Sequence, residues 1–247
     1  MSHTSRRILR LSGADTRDFL QGLITNDINK IDHGLVYAAM LTPQGKYMAD
    51  FFLMADGADV LLDVDADQAD MLAQRLAMYK LRADVQITTT DLHLHRGTDV
   101  PPGDALPDPR HAALGWRAYR ETPQSDDTTD WPALYVANVV PQSGVELTPD
   151  SFILEMGFER INGVDFRKGC YVGQEVTARM KHKTELRKGL AKVAITGMAD
   201  VGTPITAEGK PAGTLLTRAD GQALAYLRFD RATGEMAADA ATVTRLD

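Results

Sequence analysis

After Arg187 the chain breaks into short apolar and β-branched runs at 189–196, 203–207, 210–217, 222–229 and 240–245, and two of the breaks are Glu208-Gly209 and Asp220-Gly221. A two-residue connection ending in glycine closes a tight hairpin, because the turn whose twist matches paired strands needs positive φ at its centre. Strands this short and closely joined bury an apolar face only by closing on themselves or by packing sheet on sheet. Residues 184–247 are therefore expected to form a small separate β-barrel or sandwich.

The first part of the chain mixes helix and strand periods, so the whole is α+β. Residues 6–12 read as a strand. A helix follows over about 15–24, with Phe19, Leu20, Leu23 and Ile24 on one face and Asp15 or Thr16 as cap. Thr25-Asn26-Asp27 stops it with side chains that bond their own backbone. Strands at 35–42 and 46–55 flank the turn Pro43-Gln44-Gly45, and another strand lies at 60–64. An amphipathic helix spans 67–80, with Ala69, Leu72, Leu76 and Tyr79 at helical spacing. Strands at 84–88 and 91–95 precede a stretch, 98–130, rich in Pro, Asp and Thr, read as an irregular excursion with no packed core element. A short helix at 131–140 follows. Residues 152–183 read as extended backbone leading into a helix near Gly173–Met180.

Composition narrows the function. A net charge of −7 argues against a nucleic-acid binder. No run of about 18 apolar residues is present, so no membrane span is expected. The N-terminal segment lacks the apolar core of a secretory leader, which gives cytoplasm as the expected location. One cysteine excludes both a disulfide framework and a self-contained four-cysteine zinc or iron–sulfur site. His93 and His95 alternate on one strand face, but two ligands do not make a metal site, and a satisfied histidine pair is expected.

That cysteine stands in Lys168-Gly169-Cys170-Tyr171-Val172-Gly173-Gln174-Glu175. On residue type alone a buried apolar cysteine and a reactive thiol are both open. The glycines allow positive φ or close backbone approach, and Lys168 would favour the thiolate if the two side chains converge. The surrounding segment is basic: Arg167, Lys168, Arg179, Lys181, Lys183, Arg187, Lys188 and Lys192 face only Glu175 and Glu185. It is either a solvated face or a seat for a small anion.

The eight-residue motif, continued by Val-Thr-Ala-Arg179, resembles the signature of the YgfZ family of folate-binding proteins, related to the glycine-cleavage T-protein (GcvT, an aminomethyltransferase). Phe19-Leu-Gln-Gly-Leu-Ile-Thr-Asn-Asp27, Leu41-Thr-Pro-Gln-Gly-Lys46 and Asp50-Phe-Phe-Leu53 resemble the same family, and the all-β tail fits its C-terminal barrel. The resemblance implies a GcvT/YgfZ-like multi-lobed fold around a central folate channel, with residues 1–183 as the folate-binding α+β region and 184–247 as the barrel. It implies tetrahydrofolate or a one-carbon derivative as cofactor, and iron–sulfur client or assembly proteins as partners in cluster assembly or repair.

Within that resemblance Cys170 and Lys168 are the expected reactive residues. Asn26, Asp27, Asp50, Glu155, Tyr171, Gln174, Glu175 and Arg179 are the expected folate contacts. Glu155, the single acid of Phe152-Ile-Leu-Glu-Met-Gly157, could receive pterin N–H groups in bidentate fashion, or simply face solvent from a strand. Asn26 and Asp27 serve equally as ligand contacts or as a helix stop. The T-protein carries two adjacent aspartates where Ala49-Asp50 stands here, which weakens the case for aminomethyl transfer with Asp50 as acid/base group. A non-catalytic folate sensor is the third reading.

Overall fold

A computed structural model describes residues 5–182 and 185–246. Five antiparallel strands make the first sheet, in the order β2-β3-β4-β1-β5. They are β1 (Arg6–Ser12), β2 (Val36–Leu41), β3 (Tyr47–Asp56), β4 (Asp59–Asp65) and β5 (Gln86–Thr89). Helices α1 (Thr16–Gln21) and α2 (Ala66–Lys80) cover one face. Alternation along the strands sends Leu9, Leu11, Ala38, Met40, Phe51, Leu53, Leu62 and Val64 toward them, against Leu20, Ile24, Leu72 and Leu76. The Asp65 carboxylate accepts from Asp67 N–H and so caps α2. The expected 15–24 helix is shorter than its apolar spacing: it ends at Gln21, and Leu23 and Ile24 reach the core from a turn.

The opposite face of this sheet overturns the expectation for 98–130. Every residue of β2 is buried, so that face must also be covered. Here β6 (His93–Gly97), β7 (Leu106–Pro107) and β8 (Trp116–Arg120) form a three-stranded sheet in the order β6-β8-β7. Besides burying Leu114, Trp116 and Ala118, the segment packs through buried charge, which apolar patterning does not register. Asp63 accepts from Arg6 Nε and Arg117 Nη2, each at 2.6 Å, and from the Tyr119 hydroxyl at 2.9 Å. Arg110 pairs with Asp108 at 2.8 Å, and the Arg117 guanidinium lies 3.8 Å from the Phe52 ring centre. On β6, His95 Nε2 sits 2.6 Å from the carbonyl oxygen of Thr122 in that segment, while His93 is exposed.

By their contacts, Met1–Thr129 and Glu159–Ala178 make one compact unit, and Asp130–Phe158 and Arg179–Asp247 make a second. The expected break at 183/184 falls outside the described residues, as does Lys183 of the basic segment. Asp130–Phe158 sorts with the barrel and not, as expected, with the first region. The barrel closes in the order β10-β11-β12-β9-β14-β13. Its strands are β9 (Lys188–Thr196), β10 (Pro204–Ala207), β11 (Lys210–Ala219), β12 (Gln222–Arg228), β13 (Glu235–Ala238) and β14 (Ala241–Leu246). The strand at 235–238 is the one the sequence pattern missed. Both predicted hairpin turns carry two positive φ values, 50° and 73° at Glu208-Gly209, 51° and 72° at Asp220-Gly221.

Helix α3 (Trp131–Asn138) lies against β11 and β12 of the barrel. A register shift in β11 leaves Thr217 out of the ladder, and its N–H and hydroxyl both donate to buried Glu146, at 3.1 and 2.6 Å. Residues 153–160 form successive turns and not the extended backbone expected for this stretch. The last helix is α4 (Gln174–His182), and among the described residues no helix is long and apolar enough to cross a membrane.

Candidate functional site

Cys170 is exposed, on a loop whose other residues fix it to the first unit. Gly169 takes φ +99° with open space around it, so glycine is needed there for conformation alone. Gly173 takes φ +84°, and a Cβ on it would lie within 2.5 Å of the Thr42 carbonyl oxygen and 2.9 Å of Leu41 Cβ. The motif backbone therefore rests directly on the turn between β2 and β3. Buried Tyr171 anchors the loop beside the thiol, and its N–H donates to Gln174 Oε1 at 3.1 Å. Val172 N–H donates to the Gly22 carbonyl at 3.2 Å.

Lys168 does not spend its donors on the thiol. Its ammonium donates to the carbonyls of Gln21 and Ile24, the latter at 2.9 Å, where the unpaired carbonyls at the end of α1 favour a cation. It also lies 4.9 Å from the Tyr171 ring centre. Burial lowers its pKa to about 8, against the opposing charges of Asp27, Asp165 and Cys170. Gln21, which the residue pattern did not single out, completes the contact: its Nε2 donates to the Lys168 carbonyl at 3.0 Å and to Asp27 Oδ1 at 3.2 Å, and its Oε1 accepts from Ile28 N–H at 3.0 Å. The partner is 147 residues away in sequence, so no local signal could reveal it.

Asn26 is buried and does not adopt the left-handed conformation considered for a helix stop. Its Nδ2 donates to the carbonyls of Tyr37 and Asn162, each at 2.8 Å, and its Oδ1 accepts from Lys30 Nζ at 3.0 Å. Asp27 caps the following 3-10 turn by accepting from Asn29 N–H at 3.1 Å. Thr25 joins the same knot by donating its hydroxyl to the Gly163 carbonyl at 2.7 Å. Lys168, Cys170, Tyr171, Gln174, Asn26 and Asp27 thus share one hydrogen-bonded region of the first unit. Glu175 and Arg179 are exposed on α4. Asp50 is buried on the other face of the sheet, where its carboxylate accepts from the Tyr37 hydroxyl at 2.9 Å and the Tyr47 hydroxyl at 2.6 Å.

Glu155 belongs to the second unit, on a turn, where its Oε2 accepts from the Tyr226 hydroxyl at 2.6 Å. Burial and the carboxylate together raise the Tyr226 hydroxyl pKa far above its usual value, so this bond keeps its proton on the tyrosine. Tyr226, the partner of Glu155, lines a cavity of about 210 Å³ together with Met156, Leu216 and Thr214. A half-buried carboxylate that a tyrosine orients can accept from the paired N–H donors of a flat heterocycle such as a pterin. Among the described residues no three His, Cys, Asp or Glu side chains converge as metal ligands.

Residues 187–246 match the model for the C-terminal β-barrel domain of CAF17. The chain is 31% identical, over 76% of its length and 55% of the relative, to a mitochondrial iron–sulfur cluster assembly factor IBA57 homologue of Mycosarcoma maydis. It is 29% identical to mitochondrial IBA57 of Mus musculus, over 90% of this chain and 72% of that protein. The chain spans about half the length of the fungal relatives it matches. Among solved structures, aminomethyltransferase T of the glycine cleavage system from Bartonella henselae shares the fold, with a TM-score of 0.76 over 98% of this chain and 83% of that one, at 11% identity. The relatives are mitochondrial proteins, which overturns the cytoplasmic expectation. That expectation tested only for an apolar secretory core, and mitochondrial leaders are amphipathic and Arg-rich instead.

Proposed function

We propose that this chain, of the IBA57/CAF17 type of iron–sulfur cluster assembly factors and built on the aminomethyltransferase T fold, is a tetrahydrofolate-binding factor of the YgfZ kind that assists cluster assembly or repair through Cys170. The observation that carries the reading is the exposure of the chain's only thiol on a loop that its neighbours hold in place. A cysteine kept for packing would be turned inward, as Tyr171 beside it is. One thiolate supplies one cluster ligand or forms one adduct, so the remaining ligands come from an iron–sulfur client, an assembly protein or a small thiol.

Folate recognition is assigned to Glu155, oriented by Tyr226, for the pterin. Exposed Arg179, of the same unit as Glu155, is assigned to the anionic glutamate tail through charge-assisted hydrogen bonds. Bound folate supplies a one-carbon carrier; the protein's residues bind and orient it. Aminomethyl transfer is the weaker reading, because Asp50 is buried and engaged by two tyrosine hydroxyls.

Cys170→Ser separates the readings. Iron–sulfur enzyme activities in cells lacking the endogenous protein should fall with this variant while tetrahydrofolate affinity in vitro is unchanged. Full activity with Cys170→Ser would remove the thiol role, and failure to bind tetrahydrofolate at millimolar concentration would remove the folate role. Transfer of a one-carbon unit from an aminomethyl-lipoyl protein, abolished by Asp50→Ala, would establish the alternative.

A further inference from the structure

We propose that Gln21 is the positioning residue for the Cys170 loop: with Lys168 it forms a two-way clasp that ties the end of α1 to the motif and fixes how the thiol is presented. The inference rests on the reading of Cys170 as the functional thiol, but its geometry stands apart from that reading.

The clasp is reciprocal. Gln21 donates through its side chain to the Lys168 backbone carbonyl, and Lys168 donates through its side chain to the Gln21 backbone carbonyl. Each residue thus supplies donor and acceptor to the other across 147 positions of sequence. The Gln21 amide has further duties: its nitrogen also reaches Asp27 Oδ1, and its oxygen takes the N–H of Ile28. A single side chain therefore ties together the last residue of α1, the start of the 3-10 turn and the residue two before the cysteine. Next to the clasp, Val172 N–H donates to the Gly22 carbonyl. Contacts to Gln21 or its neighbour thus bracket Cys170 at Lys168 and at Val172, while the thiol itself stays exposed.

Glutamine is the side chain this arrangement requires. Glutamate could still accept from Ile28 but could not donate to the Lys168 carbonyl, and it would face Asp27 with like charge. Alanine removes all three bonds. Lys168 faces Asp27, Asp165 and Cys170 as its charged neighbours, with no other cation among those that set its titration. Its loss of charge on the alkaline side weakens one half of the clasp and leaves the Gln21 half intact.

Amide hydrogen exchange on the full chain tests this. In Gln21→Ala the Val172 amide, which Gln21 does not touch, should exchange about tenfold faster, as expected when a bracing set of hydrogen bonds opens locally. Amides in the β9–β14 barrel should not change. The pH profile of Cys170 alkylation by iodoacetamide, which follows thiolate formation and the presentation of the loop, should differ from the wild type in both Gln21→Ala and Lys168→Met. Gln21→Glu, which keeps the Ile28 bond, guards against a general folding defect: it should accelerate Val172 exchange while leaving thermal unfolding of the barrel unchanged. Unaltered Val172 exchange and an unaltered alkylation profile in both Gln21 variants would overturn the proposal. Loss of the iron–sulfur role in the Cys170→Ser test would not, since exchange and alkylation read the clasp directly.

Discussion

Replacing Asp63 by Ala removes the carboxylate that neutralises two buried guanidiniums. Arg117 is 3% exposed and Arg6 13% exposed, so neither can turn to water without opening the unit. Arg117 keeps the Phe52 ring and 3.5 Å contacts to Asp108 and the Tyr119 hydroxyl, and Arg6 keeps the Phe52 ring and the residue-63 backbone carbonyl at 2.7 Å. Breaking a buried ion pair from one side costs about 3–5 kcal/mol, because the surviving charge is left uncompensated. Against a total stability of about 5–15 kcal/mol this is a large fraction. With a urea slope of about 2 kcal/mol/M, the midpoint should fall by roughly 1.5–2.5 M. The chain has two tryptophans, Trp116 in the first unit and Trp131 in the second, so fluorescence in a Trp131→Phe background reads the affected unit alone. Asp63→Asn, which keeps the shape and loses the charge, should cost nearly as much. Burial by itself pushes the Asp63 pKa up, but Arg6 and Arg117 outweigh it and hold it below the usual carboxylate range. The stabilisation is therefore complete above about pH 4, the unfolded value, and is lost as pH falls through the folded one. A midpoint shift below about 0.5 M in both variants would refute the claim that charge, and not apolar contact, holds 98–130 to the sheet.

Three further outcomes are expected. Trace labelling with acetic anhydride should give Lys168 a midpoint near pH 8; because this lies below the ordinary 10.5, the unfolded chain binds the extra proton between these values, stability rises with pH across that window, and Lys168→Met should lose the rise. Gly213→Ala should destabilise the barrel by about 1–3 kcal/mol in thermal unfolding followed by Trp131, since a Cβ there collides with the Tyr226 carbonyl and approaches Leu227 to 2.7 Å. Glu155→Gln should weaken tetrahydrofolate binding in a calorimetric titration at least tenfold and Tyr226→Phe less so, as expected for losing a charged acceptor against losing only its orienting hydroxyl; equal affinity in all three proteins would remove Glu155 from the site.

What the sequence determined by itself was mostly local. Gly209 and Gly221 set the hairpins because a backbone needing positive φ leaves few other choices, and the period of Ala69, Leu72 and Leu76 set α2 and its buried face. The cysteine motif was legible for a similar reason: glycines at 169 and 173 answer to backbone geometry that can be read residue by residue. Tertiary structure decided what depended on distant partners. The 98–130 segment looked coreless because Asp108, Arg110 and Arg117, buried in it alongside Leu114, Trp116 and Ala118, become core residues only when Asp63 and the Phe52 ring are placed against them. Asp50 read as an available acid until Tyr37 and Tyr47 closed on it. Lys168 read as a neighbour for the thiol, and the fold turned it instead onto the end of α1, where Gln21 answers it. Charges and amides declare a role only through what they bond. Apolar period and glycine φ are written along the chain, whereas the partner of a buried polar group is chosen by the packing.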